Sequence, residues 1–553
     1  MRKSSHGIRN FDPFVVELLW TRLVAIADEA ATVLVRTSFS PIVRESKDFC
    51  CVLMDDKGRS LAQNTITVPS FVGTLPRTMK HFLKKYQPET WKPGDVAITN
   101  DPWLGTGHLP DITVVIPIFL GGRLVAFAGA VAHMPDIGGR IYSADSTELF
   151  EEGLSLPMCK LYDADRPNEL LIDLIRANVR VPDQTLGDMH AEIASCRVMS
   201  RRLLEMMFEN KLENLDALAK EIHDRSALAM RAAITSLPDG TYCSEVHTDR
   251  IDGQSLRIAV AMTVQGDRVI CDYTGTSEQV RRGINAVFNC TFAHTAYYLK
   301  CALDPELPNN EGAMAPLTVL VPEGTILNPR RPAPVNARQI VLHYLHAVMF
   351  GALGQAAPDR VIAPCGAPSN RTVFAGTRAD GSPFNILLFT SGGMGGRKDR
   401  DGLACTTFPT NSGAASIEIV ESTIPILYQV KALRPGSGGP GQFRGGLGQT
   451  IRIEVMSKSP IQASFLMDRI ENAPQGIQGG GPGGLSSLRL LNRDMPLPPK
   501  GRVMLDEGDI VEIVCAGGGG FGPPHDRDPA LIQEDLRQGY VISAVVRSGD
   551  GAR

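Results

Sequence analysis

Glycine distribution limits this chain more than any other feature. From about residue 430 onward glycine dominates, in GSGGPGQFRGGLGQ (436–449) and GIQGGGPGGL (476–485), between short β-branched runs such as TIRIEVM and DIVEIVCAGGGG. Helix through such segments would forfeit too much backbone entropy. The C-terminal third is therefore expected to be loop-rich β structure, with glycines serving turns at positive φ and tightly packed hairpins. None of the runs matches GxxxxGK[ST], and none sits visibly between a strand and a helix, so ATP binding in the P-loop manner is not expected of this chain.

Elsewhere the breakers thin out. Between Asp12 and Arg36, Val16, Leu19, Leu23, Ile26, Ala27 and Ala30 recur at three- and four-residue steps, which predicts an opening amphipathic helix with Pro13 in its first turn. Phe49 to Met54 (FCCVLM) and the turn Asp55-Asp56-Lys57-Gly58 read as a strand and hairpin, and Lys92 to Asp95 is a turn into the strand Val96 to Thr99. Two further strands are expected near 112–119 and 124–133. Residues 168 to 235 carry helical periodicity almost throughout. After the stop Pro238-Asp239-Gly240, β-like runs return, with one more helix around Ile340 to Leu353. The expected class is α+β and multi-domain, with mixed sheets, a central helical section and a Gly-rich, β-rich C-terminal region. Its divisions are 1–167, bearing the metal site, then 168–238, 239–430 and 431–553.

Composition excludes several partners. The 56 basic and 60 acidic residues nearly cancel to −4, leaving no large field to attract nucleic acid or an anionic membrane. The longest apolar stretch, Ile112 to Leu120, is about half of a membrane span and contains Pro117. Asp12, Pro13 and Glu17 interrupt the start where a secretory signal needs an unbroken apolar core, so a cytoplasmic location is expected. The eleven cysteines lack any CxxC pair and read as reduced, mostly buried residues. The neighbours Cys50 and Cys51 would point to opposite faces of a strand, which argues against a redox pair.

Chemistry concentrates in NDPWLGTGHLPD (100–111) and AHMPDIGG (132–139). His133 follows His108 by 25 residues, across two strands reversing at Gly121-Gly122, so a hairpin would return position 133 beside 108–111. Two imidazoles and the Asp111 carboxylate would then converge, a donor set suited to Zn²⁺ or Mn²⁺ with a position open for water. Among eleven histidines some chance proximity is certain; the Gly- and Pro-rich loops at strand ends are what favour the functional reading. Glu45 and Asp48, in RESKD, are both candidates for a fourth ligand, and spacing does not decide between them. Asp136 repeats the H-x-x-D spacing after His133 and is a candidate to orient an imidazole.

These stretches resemble the hydantoinase B/oxoprolinase family: RESKDFCCVLMDDKGRSLAQ, VPSFVGTLPRTM, GDVAITNDPWLGTGHLPDITVVIPIF and HMPDIGGR, then LRPGSGGPGQFRGGLGQ and APQGIQGGGPGG, in order from about residue 11 to 525. The resemblance implies a hydantoinase A-like ATPase subunit as partner, binding the ATP, and joint hydrolysis of a cyclic amide such as a hydantoin, 5-oxoproline or a lactam by a hetero-oligomer of (αβ)2 type. It implies metal ligands His108, Asp111 and His133, with Asp48 the first ligand because the family's Asp-Phe pair falls at Asp48-Phe49, and Glu45 in reserve. Cys50 stands where the family pattern has serine. The partner would phosphorylate the amide oxygen, and metal-activated water would attack, with Glu45 or Asp136 shuttling protons. Two alternatives are an ATP-dependent ketone carboxylase subunit using bicarbonate and a non-catalytic scaffold.

Overall fold

The structure is a computed structural model and describes residues 11–366 and 370–541. The opening helix runs Pro13–Thr37; Asp12 caps it, its carboxylate accepting the Phe14 N–H at 2.8 Å. Its apolar stripe, Val16, Leu19, Leu23, Ile26, Ala30 and Leu34, is buried as the periodicity predicts.

That stripe lies on an antiparallel seven-stranded sheet, ordered Ser60–Gln63, Phe49–Asp55, Arg123–His133, Asp111–Leu120, Val96–Thr99, Cys159–Asp163, Arg166–Pro167. Alternate side chains enter two different cores. Cys51, Leu53, Ile112, Val114, Ala128 and Ala130 meet the opening helix and the long helix Pro182–Glu209. Cys50, Val52, Val115, Phe127 and Val131 meet Leu75, Met79 and Phe82 of the helix Thr74–Lys85. Both faces are covered, which is why the central strands read as nearly unbroken apolar runs rather than alternating ones. Cys50 and Cys51 do part to opposite faces, and burial pushes the Cys51 thiol up to about 12.

The helices Glu169–Asn178, Pro182–Glu209 and Asp216–Thr235 occupy the expected helical section. They form no separate unit, because their buried faces belong to the core that also holds the first sheet. A second sheet, Leu317–Leu320, Arg268–Asp272, Arg257–Gln265, Gly240–His247, packs under the helix Leu345–Ala356.

Two more sheets share the remaining core. One is ordered Pro383–Thr390, Asn370–Thr377, Ile461–Leu466, Lys500–Leu505; the other Ile426–Leu433, Gln449–Val455, Ile510–Val514, Ser487–Leu490, Met495–Pro496. Asn370–Thr377 pairs with Ile461–Leu466, so the division expected at 430/431 falls inside this unit.

The glycines correct the expectation. Of the runs from 436 to 520, only Gly436, Gly479 and Gly508 have positive φ; most of the others are needed for close approach. Extended, non-strand segments lie side by side and exchange backbone hydrogen bonds. Gly446 N–H donates to Met394 O at 2.7 Å, Gly518 N–H to Gly446 O at 2.9 Å, and Gly393 N–H to Ala516 O at 3.0 Å. A Cβ on Gly393 would sit 1.8 Å from the Gly446 carbonyl oxygen, and one on Gly517 the same distance from that of Ser437.

Candidate metal centre

Strand ends assemble the site. Asp111 opens one strand, His133 closes its neighbour, and the two residues pair directly across the ladder. On the other side of His133, its N–H donates to Asp48 O at 3.0 Å, and Phe49 pairs with Ala132. Three sequence-expected ligands therefore share one end of the sheet. His108 joins from the preceding loop.

One nitrogen or oxygen from each of His108, Asp111 and His133 lies within 4.8 Å of the other two, and all three side chains are buried. The His108 and His133 rings meet at 5.1 Å between centroids, and Tyr142 packs edge-on against both, at 5.7 and 5.4 Å. His133 Nδ1 lies 2.9 Å from Met134 O, so it carries the proton and donates, which leaves the Nε2 lone pair bare. That Nε2 has no hydrogen-bond partner among the described residues.

His108 poses a sharper constraint. Its Nδ1 lies 2.7 Å from Asn336 O and its Nε2 2.8 Å from Asp111 Oδ1. A neutral imidazole has one N–H, so one of these contacts would set two acceptors face to face. Burial and the Arg338 charge hold His108 below the usual histidine value, disfavouring the doubly protonated ring. A cation between Nε2 and the carboxylate removes the conflict, and the residues present therefore fit a divalent metal. Burial, then the neighbouring His108, likewise push His133 down to about 3, keeping it neutral and able to ligate.

Asp111 is buried, which opposes ionisation, but His108 and Arg338 outweigh burial and hold its carboxyl well below the ordinary range. Its Oδ2 accepts from Thr106 Oγ1 at 2.6 Å and Arg338 Nη2 at 2.7 Å. Arg338→Met would leave that carboxylate buried without its counter-charge. We expect a loss of about 3–5 kcal/mol in stability by denaturant titration of the metal-free chain; a loss below about 1 kcal/mol would show that the pair is dispensable.

Asp48 lines the same cavity without joining the tight cluster; burial, then Asp111, push its carboxyl up to about 7 against the pull of Arg371 and Arg338. Glu45 does not line it and lies 3.8 Å from Arg44. Asp136 does not line it either: its carboxylate accepts from the Arg180 backbone N–H and, at 2.6 Å, from Arg180 Nη1. The repeated H-x-x-D spacing thus serves an ion pair with the helical section. No geometry here supports proton transfer by either residue.

Sequence reading missed Tyr142, His294, Arg338, Gln339, His343 and Arg371, all of which line the cavity. His294 Nε2 is 3.0 Å from Ser70 Oγ, and His343 Nε2 is 3.2 Å from Thr410 Oγ1. Glu152 was missed too; it accepts the Val335 and Asn336 N–H groups at 2.9–3.1 Å, fixing the carbonyl that orients His108. The one available signal was the segment Asn336-Ala337-Arg338-Gln339, three polar residues in four, set between Pro334 and an apolar helix. The cavity measures about 20 Å³, room for about one water-sized occupant.

Fold and site together define a multi-domain α+β protein with a buried, cation-competent His/Asp/His centre. The chain belongs to the hydantoinase B/oxoprolinase family, whose model matches residues 12–524. It is 30% identical to one subunit of a putative D-/L-hydantoinase of Pseudomonas sp. strain NS671, over 98% of this chain and 95% of that one. The ATP-dependent caprolactamase of Pseudomonas jessenii superposes with a TM-score of 0.88 at 26% identity, covering 97% of this chain and 95% of that one. A nucleotide-free acetone carboxylase shares the fold, with a TM-score of 0.87 at 21% identity over 98% of this chain and 80% of that one. The family includes subunits of ATP-dependent cyclic-amide hydrolases. Relatives named as one of two kinds of subunit imply that such chains work with a partner. No helix among the described residues is long and apolar enough to cross a membrane.

Proposed function

We propose that this chain is the metal-bearing subunit of a two-component hydrolase that opens a cyclic amide, a hydantoin, 5-oxoproline or a lactam, at the expense of ATP bound by a hydantoinase A-like partner. The observation that carries this reading is the in-register pairing of Asp111 with His133, which leaves the His133 lone pair aimed, unpartnered, into the same cavity as His108. In this reading His108, Asp111, His133 and Asp48 hold a Zn²⁺ or Mn²⁺ ion. When bound, such an ion lowers the pKa of water toward 7 and polarises a carbonyl.

The chain's own residues supply the rest. Asn336 O and Met134 O hold both imidazoles with Nε2 toward the cavity. Arg338 keeps Asp111 ionised. The apolar cores on both faces of the sheet keep bulk water from the strand ends, which strengthens every charge interaction there. An unstrained amide resists hydrolysis, so phosphorylation of its oxygen by the partner would create the better electrophile. A cytoplasmic (αβ)2 hetero-oligomer is the assembly we envisage.

The test is to co-purify the chain with its partner, measure metal content, and follow ATP consumption against hydantoins, 5-oxoproline and lactams. ATP-coupled ring opening by a preparation with stoichiometric Zn or Mn supports the reading. Full turnover after the metal is stripped, or turnover of a ketone that depends on bicarbonate in place of any cyclic amide, sinks it.

A further inference from the structure

We infer that the side-chain amide of Gln339 is the hydrogen-bond donor for the oxygen that attacking water adds to the amide carbon, which bears negative charge in the tetrahedral state before the ring C–N bond breaks with its electron pair passing to nitrogen, and that Tyr142 positions this amide. This rests on the hydrolase reading above and adds a residue to it.

Gln339 is 5% exposed and lines the cavity that holds His108, Asp111 and His133. Its Oε1 accepts from Tyr142 O–H at 2.6 Å. Its Nε2 is buried and has no partner among the described residues. The assignment of the two amide atoms follows from Tyr142, since turning the amide over would leave the phenol proton without an acceptor.

A buried N–H without an acceptor is costly, and the cost is recovered when a ligand oxygen arrives. The placement of this donor is tightly determined. Tyr142 packs edge-on against both ligand imidazoles, so the residue that aims Gln339 also abuts the metal centre. The adjacent Arg338 is anchored on Asp111, and Asn336, three residues before Gln339, is anchored on His108. One short segment therefore registers Gln339 against the ligands. Its donor costs no reorganisation when charge develops, which is the condition for an oxyanion-type contact.

The role differs from that of the metal ligands, and the experiment separates them. In the assembled complex, Gln339→Ala is expected to lower kcat about 100-fold, with KM and metal content within about threefold of the parent. Gln339→Glu, which keeps the shape and replaces the donor by an acceptor, should fall at least as far. Tyr142→Phe should lower kcat about tenfold, and the double variant should be no slower than Gln339→Ala alone, because both act through one contact. Fluoride, a single-atom acceptor, should bind the metal-loaded chain about tenfold more weakly in Gln339→Ala by calorimetry. The fluoride titration needs no substrate, so it still tests Gln339 if no cyclic amide is turned over. A kcat within about threefold of the parent, a rise in KM alone, or a loss of metal from a folded Gln339→Ala chain would each overturn the inference.

Discussion

Replacing His133 with alanine is expected to abolish both stoichiometric metal binding and ATP-coupled ring opening, while the chain still folds and assembles with its partner. Among the described residues His133 makes one side-chain hydrogen bond, to Met134 O, and its Nε2 has no partner. Its removal therefore breaks little of the fold. His108→Ala should act the same way on metal and turnover. Asp111→Ala adds a structural penalty, since it strands Arg338, and Asp111→Asn is the cleaner variant. Elemental analysis of the purified complexes and a coupled ADP assay read the result. A His133→Ala complex that keeps a full complement of tightly bound metal would place the ion elsewhere, and one that keeps full turnover without metal would return the chemistry to the partner.

Gly393→Ala should unfold the C-terminal unit outright, at a cost above about 4–5 kcal/mol, whereas Gly381→Ala should cost only about 1 kcal/mol. The two positions invert the usual expectation. Gly381 has φ +85° and nothing within 4 Å of an added Cβ, so its penalty is local backbone strain alone. Gly393 is not at positive φ, yet its Cβ would lie 1.8 Å from the Gly446 carbonyl oxygen and 2.3 Å from the carbonyl carbon. Gly446 cannot retreat, because its N–H is bonded to Met394 O and its own carbonyl receives the Gly518 N–H. Denaturant melts or soluble yield of the two variants decide the matter, and equal stabilities would mean that the segments are not packed backbone to backbone.

Legibility differed between parts of the site for identifiable reasons. The two central strands, of ten and eleven residues, and their turn were legible because largely apolar runs reversed at two glycines have only one compact arrangement. The pairing of Asp111 with His133 follows from that hairpin. Asp136 lies outside the cavity lining because the helical section draws it to Arg180, and spacing alone cannot say which way a loop leaves a strand. Arg338 escaped notice because 227 residues separate it from Asp111, and no periodicity links such distant positions.

By itself, the sequence determined the local elements, the hairpin that brings His108, Asp111 and His133 together, and the family; each depends on side-chain periods and turn residues that act over a few tens of residues. Only the tertiary structure decided which distant groups complete the centre and what the glycines are for. Arg338, Gln339 and His294 reach the cavity from two helices distant in sequence, Phe288–Leu303 and the start of Gln339–Leu342, and glycine serves equally well at a positive φ or under a neighbouring carbonyl until packing selects between them.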